Sequence, residues 1–260
     1  MDAVPLDDRG LLLGDGVFET LLWARGALVL APAHAERMAQ GAAALGLPAP
    51  GLDAFVGAAI EAVRTAGLAD ARAAVRVTLT AGSGGRGLDR PERPRPRLFA
   101  TAAAAAAPIG PATLHVAAVR RNDASPASRL KTLAYLDNVL ARREALAADA
   151  DEALMLNTRG EVACAAAANL FWIKDGALIT PAAETGRLDG IMARQVIGAA
   201  GALGLEVTQG AFGFEAVATA DGLFLTNSLI GARAARLKGA SAYGPHPIVA
   251  RLAAEIGAFV

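Results

Sequence analysis

Hydrophobic and polar residues alternate between residues 17 and 31 and break at Arg25-Gly26, a pattern that predicts a β-hairpin. Two helices are expected next. The first starts near Pro32 and stops at Gly46-Leu47-Pro48. The second carries Leu52, Phe55, Val56, Ala59, Ile60 and Val63 at i, i+3, i+4 spacing and ends near Gly67. Apolar runs at 74–80 and 98–104 read as strands, with a glycine-rich loop and a Pro/Arg-rich loop between them. Residues 1–106 then form a small N-terminal α/β domain. The stretch 107–112 holds Pro108, Gly110 and Pro111, cannot sustain regular structure, and is the expected linker. Residues 113–260 form a larger domain, with a strand at 114–119, the polar segment 120–128 and a helix at 133–148. Short strands are expected at 152–157, 168–173 and 176–180, then a helix at 191–204, strands near 205–208 and 222–226, and a terminal helix from Pro247. Strands mixed with helices and hairpins indicate an α+β or mixed α/β fold in two domains.

Composition narrows the function. Of 260 residues 54% are hydrophobic and 19% charged, which excludes a disordered chain. Lys+Arg and Asp+Glu balance at 25 each, so there is no electrostatic footprint for nucleic acid, and a small molecule is the expected partner. The single Cys164 excludes an internal disulfide and fits a reducing cytoplasm, and His34, His115 and His246 are too scattered for a Cys/His metal cluster, so no metal is expected. The acidic N-terminus lacks the pattern of a signal peptide. The charge-free stretch 98–119 is long enough to cross a bilayer, but its prolines and glycine make it strand, linker, strand, and no membrane partner is expected.

The chain has 22 arginines but only three lysines. Lys174 and Lys238 lie in turn contexts, where a lysine is ordinarily solvated. Lys131 stands between a polar loop and an apolar helical pattern (Leu133, Leu136, Val139, Leu140), which would turn its amine inward. A buried amine has a lowered pKa and can form a Schiff base with an aldehyde, although a surface lysine at a helix start fits the same pattern. The loop Gly82-Ser83-Gly84-Gly85-Arg86-Gly87 lacks the ending of a nucleotide-binding P-loop; as a flexible loop it would present Arg86 to a substrate carboxylate. Arg37 in the first helix, Gly190-Ile191-Met192 at a helix start and Thr226-Asn227-Ser228 at a strand end are candidate phosphate sites, or simple surface and capping residues.

Eight ordered segments resemble the class IV aminotransferases: DRGLLLGDGVFET (8–20), His34 with Arg37, GSGGRG, KTLAYLDNVLARREA (131–145), DEALMLNTRGEV (151–162), AANLFW (167–172), DGIM (189–192) and TNSLIG (226–231). These are fold-type IV enzymes dependent on pyridoxal 5'-phosphate, among them branched-chain and D-amino-acid transaminases and aminodeoxychorismate lyase. GSGGRG, AANLFW and TNSL look most like the lyase, which makes pyruvate and 4-aminobenzoate for folate synthesis. The resemblance implies Lys131 as the Schiff-base lysine and Arg37 on the cofactor phosphate. It also implies Ile191 and Met192 as helix-terminal phosphate amides, Ser228 and Leu229 as a second phosphate turn, and Arg86 on the carboxylate of an amino-acid-like substrate. A homodimer with its site between the two domains is implied as well.

The resemblance breaks at one position. Where the family places a glutamate on the pyridine nitrogen, five residues before Asn169, this chain has Cys164. A thiol is a poor counter-ion for a protonated ring. Glu161 should not replace it, because strand side chains alternate and residue 161 points away from residue 164 unless a bulge intervenes. Ala81 and Ala134 depart as well. The expectations are therefore a pyridoxal-phosphate lyase, a D-amino-acid or related transaminase, or a family member with altered or lost cofactor chemistry.

Overall fold

The computed structural model describes residues 3–239 and 246–257, and the chain divides into two compact units. The first runs to Ala106 and also takes in Leu130–Ala134; the second holds Ala107–Arg129 and the chain from Tyr135 onward.

In the first unit, the short helix α1 (Arg9–Leu13) precedes strands β1 (Gly16–Ala24) and β2 (Ala27–Leu28), helices α2 (Ala31–Ala44) and α3 (Leu52–Thr65), and strands β3 (Ala73–Thr80) and β4 (Arg97–Ala104). The antiparallel sheet has the order β2-β1-β3-β4. Alternation assigns its faces: Val17, Leu21, Val75, Val77 and Leu79 pack with Met38, Phe55 and Val63 of the helices. Only part of the expected α3 stripe is buried. Phe55, Ala59 and Val63 face the sheet, whereas Leu52 and Ile60 are exposed.

Residues Leu130–Ala134 were expected to travel with the C-terminal domain, but they pair with β1. Phe18 N donates to Lys131 O at 2.9 Å, Leu133 N donates to Gly16 O at 3.0 Å, and Val17 bridges Thr132. The approach requires glycine at residue 16, where a Cβ would stand 2.3 Å from Leu79 O and 2.8 Å from Leu133 Cδ1. The helix that follows is accordingly shorter than expected.

The second unit comprises β5 (Ala112–Val116), α4 (Leu136–Ala147), β6 (Glu152–Leu156), β7 (Val162–Ala165), β8 (Asn169–Lys174), β9 (Ala177–Pro181), α5 (Ile191–Ala202), β10 (Val207–Gly210), α6 (Glu215–Ala218), β11 (Gly222–Asn227), β12 (Gly231–Leu237) and α7 (Pro247–Ile256). Its sheet has the order β10-β9-β8-β11-β12-β5-β6-β7. Phe171 and Phe224 stack at 5.0 Å on the face covered by α5 and α7; Trp172 meets Phe212 edge-on at 5.2 Å on the other. Helix α4 inverts its expected face. It buries Asn138, Ala141 and Ala145 against β6 and β7, while Leu136, Val139, Leu140 and Leu146 are exposed. Small alanines allow the close approach that leucines would block. No helix among the described residues is long and apolar enough to cross a membrane.

Candidate functional site

Strand β1 presents two chemistries on its two faces. On one, the Phe18 ring lies 4.3 Å from Lys131 Nζ and 3.5 Å from Arg76 Cζ, so two cations share one aromatic surface. Arg76 reaches it from β3, where Thr78 is the register partner of Phe18 and Arg76 that of Thr20. On the other face, Glu19 is 1% exposed and meets α2. His34 Nδ1 lies 2.7 Å from Glu19 Oε2, and Arg37 donates through Nε at 2.7 Å and Nη2 at 2.6 Å.

Burial works against the charge on Glu19, yet the donors Arg37 and His34 together hold its carboxyl below the usual range. Burial likewise holds His34 down, against the pull of Glu19, so the imidazole is neutral near pH 7 and donates from Nδ1. Sequence reasoning missed Glu19, Phe18 and Arg76. The first two lie within the GDGVFET segment, and strand alternation could have assigned each to its face.

Arg86 is exposed on the glycine-rich loop. A Cβ at Gly82 would meet Arg95 O at 1.9 Å and one at Gly85 would meet Asp89 O at 2.1 Å, so these two glycines allow close packing.

In the second unit Cys164 is buried, among Ala117, Ala141, Ala145, Ala153, Met155 and Ala166. Burial pushes the thiol pKa up. The buried Arg121 acts on it electrostatically in the opposite direction. It donates to Gly186 O at 3.0 Å, to Asn138 Oδ1 at 3.0 Å and to Ser128 O, and no carboxylate among the described residues pairs with it. Strand parity does not exclude Glu161. Met155 pairs with Cys164 but Leu156 pairs with Val162, a bulge that sends both Ala163 and Cys164 into the alanine cluster and cancels the parity argument. What separates Glu161 from this place is commitment elsewhere: Oε2 accepts from Asn157 Nδ2 at 2.8 Å and from Arg159 Nη2 at 2.7 Å.

Helix α5 begins at Gly190, which provides no side-chain acceptor for the first amides, so the buried Ile191 and Met192 lie at an uncapped N-terminus. A Cβ at Gly190 would stand 1.9 Å from Asn169 Oδ1, and Asn169 Nδ2 donates to Leu188 O at 2.8 Å. Opposite Asn169 in register is Thr226, whose buried Oγ1 has no partner among the described residues. In the adjoining turn Ser228 is half-buried, and Leu229 N–H donates to Asn227 Oδ1 at 2.8 Å. The first unit supplies an amine and a guanidinium, and the second an uncapped helix terminus and an orphaned hydroxyl; each is a kind of group that suits a phosphorylated aldehyde. Lys131, Arg37 and Arg86 belong to the first unit; Cys164, Ile191, Met192, Ser228 and Leu229 belong to the second.

Residues 16–237 match the family model for amino-transferase class IV. The chain is 30% identical over 235 residues to aminodeoxychorismate lyase of Bacillus subtilis, covering 86% of this chain and 77% of that protein. It is 32% identical over 231 residues to a provisionally named branched-chain-amino-acid aminotransferase of Methanocaldococcus jannaschii, covering 86% and 79%. A solved structure provisionally described as a 4-amino-4-deoxychorismate lyase, from Legionella pneumophila, is similar with a TM-score of 0.87 and 30% identity, over 97% of this chain and 93% of that one.

Proposed function

Because the chain belongs to the class IV aminotransferase family, we propose that it releases pyruvate from 4-amino-4-deoxychorismate and leaves 4-aminobenzoate. It is a pyridoxal-phosphate enzyme. When bound, that cofactor supplies an electron-withdrawing ring that stabilises negative charge at the substrate carbon. Lys131 would hold its aldehyde group, and Arg37, with the amides of Ile191 and Met192 and the Ser228–Leu229 turn, would hold its phosphate. The Lys131 amine would act as base at the amine-bearing carbon of the substrate and then as acid toward the departing three-carbon fragment. Glu19 fixes one edge of the Arg37 guanidinium, and Arg86 would receive a substrate carboxylate.

The observation that carries the lyase reading is Cys164, a neutral buried thiol at the position where the family motif has its ring-pairing carboxylate. Without that carboxylate the ring withdraws electrons less strongly. Pyruvate loss is aided by formation of an aromatic product, so it tolerates the change better than transamination does. A transaminase is the second reading. The likeness to the aminotransferase of M. jannaschii favours it, as does the match of Arg86 to the residue that holds the substrate α-carboxylate in D-amino-acid transaminases. The test compares 4-aminobenzoate fluorescence from aminodeoxychorismate with transamination of D-alanine or L-leucine by 2-oxoglutarate. Faster lyase turnover is expected, and robust transamination without 4-aminobenzoate overturns the reading. The same reading includes a cytoplasmic homodimer, for which the exposed Leu136, Val139, Leu140 and Leu146 of α4 supply apolar surface; sedimentation checks it.

A further inference from the structure

The geometry points to Arg9 as a positioning residue that presets Arg86 for an anionic group of the substrate. It rests on the reading of Arg86 as a carboxylate receptor. Helix α1 holds the glycine-rich loop at both of its ends. At the near end Arg9 N donates to Gly82 O at 2.9 Å and Asp8 bridges Ser83. At the far end the buried Arg9 guanidinium reaches the backbone directly after Arg86: Nη2 donates to Leu88 O at 2.8 Å, and Nη1 to Asp89 O at 2.9 Å with a longer contact to Gly87 O at 3.4 Å. Arg86 opens the turn so gripped, since Asp89 N donates to Arg86 O at 3.2 Å.

Nε of Arg9 donates to Asp15 Oδ2 at 2.9 Å, and Asp15 also receives Arg90, which closes the loop and donates onward to Leu45 O. One carboxylate thus anchors two guanidiniums, one under the loop and one at its exit. Hydrogen bonds from a charged donor are the strong ones, and a loop held by several of them loses little further freedom when a ligand arrives. Arg86 itself is left exposed on this fixed base. Such rigidity places a charge in advance, which is how a supporting residue improves affinity without touching the ligand.

The experiment is a double-mutant cycle on the holoenzyme, with 4-aminobenzoate and pyruvate as carboxylate probes titrated by calorimetry. Arg86→Gln should weaken at least one probe about tenfold, a loss of about 1.4 kcal/mol. Arg9→Gln should weaken the same probe about fivefold in the parent protein and less than twofold once Arg86 is gone, with Arg9→Lys in between. Gly85→Ala, whose added methyl would stand 2.1 Å from Asp89 O on an exposed loop, disturbs the clamp without emptying a buried site and should reproduce the pattern if Arg9→Gln fails to fold. Equal losses with and without Arg86, or no loss from either clamp variant, overturn the proposal and leave Arg86 as a receptor. Unchanged affinity for both probes in Arg86→Gln removes the receptor reading and the proposal with it.

Discussion

Beside Glu19 and beside Cys164, the two units meet charge in different ways. In the first, the buried Arg9 and the half-buried Arg37 and Arg90 each answer to a carboxylate: Arg37 to Glu19, and Arg9 and Arg90 to Asp15. In the second, Arg121 is buried against neutral oxygens, and the side chain it acts on is a thiol. Burying a charge is tolerable when it is paired and hydrogen-bonded, so the first unit can hold fixed cations toward anionic groups. The second offers backbone amides and a neutral sulfur. The residues proposed to bind phosphate and move protons therefore keep paired charge, while the position proposed to tune the cofactor ring holds a neutral thiol.

The largest expected effect comes from the reacting amine. Lys131→Ala should lower turnover by about a thousandfold or more while leaving the fold intact, checked by kinetics and circular dichroism. Removing the carboxylate at the centre of the first unit comes next. Glu19→Ala removes the buried carboxylate to which Arg37 and His34 both donate and should cost about 3–5 kcal/mol in chemical denaturation. A smaller loss would mean that the first unit is less dependent on paired charge than the comparison holds.

Restoring a carboxylate to the second unit sharpens the contrast. Cys164→Glu should raise transamination about tenfold relative to pyruvate release, and the ring nitrogen of 15N-labelled cofactor should move from a free-pyridine to a pyridinium shift. A pyridinium shift in the parent protein would remove the basis for the lyase preference.

The two units should also fail at opposite ends of the pH scale. His34 and Glu19 have folded pKa values below their ordinary 6.5 and 4.5, so the unfolded chain binds the extra protons, and stability falls as pH drops below each value in turn. The thiol of Cys164 is raised above 9.0, so its contribution is complete below that pH and is lost as pH rises through the folded value. His34→Gln should flatten the acid limb and Cys164→Ala the alkaline one, read as the slope of unfolding free energy against pH. The smallest effect is expected from Phe18→Leu, which removes the shared ring and should cost about 1 kcal/mol while altering the pH dependence of Lys131 reactivity.

Much of this was legible in the order of residues. Alternation located β1, an apolar run located β3, the break at Gly46-Leu47-Pro48 closed α2, and the motif order carried the family. What escaped was set by approach distance and by pairing. Leu136, Val139 and Leu140 resemble a core stripe, but the alanines of α4 pack closer and take the interior. Lys131 stands in sequence at the head of a helix, yet backbone pairing with Gly16 and Phe18 draws it into the first unit. The bulge at Ala163 and Cys164 has no glycine to announce it. The partner of Arg37 lies 18 residues away, and only the two faces of a strand show that Glu19 meets it.

The most direct measurement is peptide mass mapping after borohydride reduction of the holoenzyme. The account predicts a phosphopyridoxyl group on the peptide that spans Lys131 and none on Lys174 or Lys238. An adduct on either of those lysines, or none on any lysine with excess pyridoxal phosphate present, would contradict it.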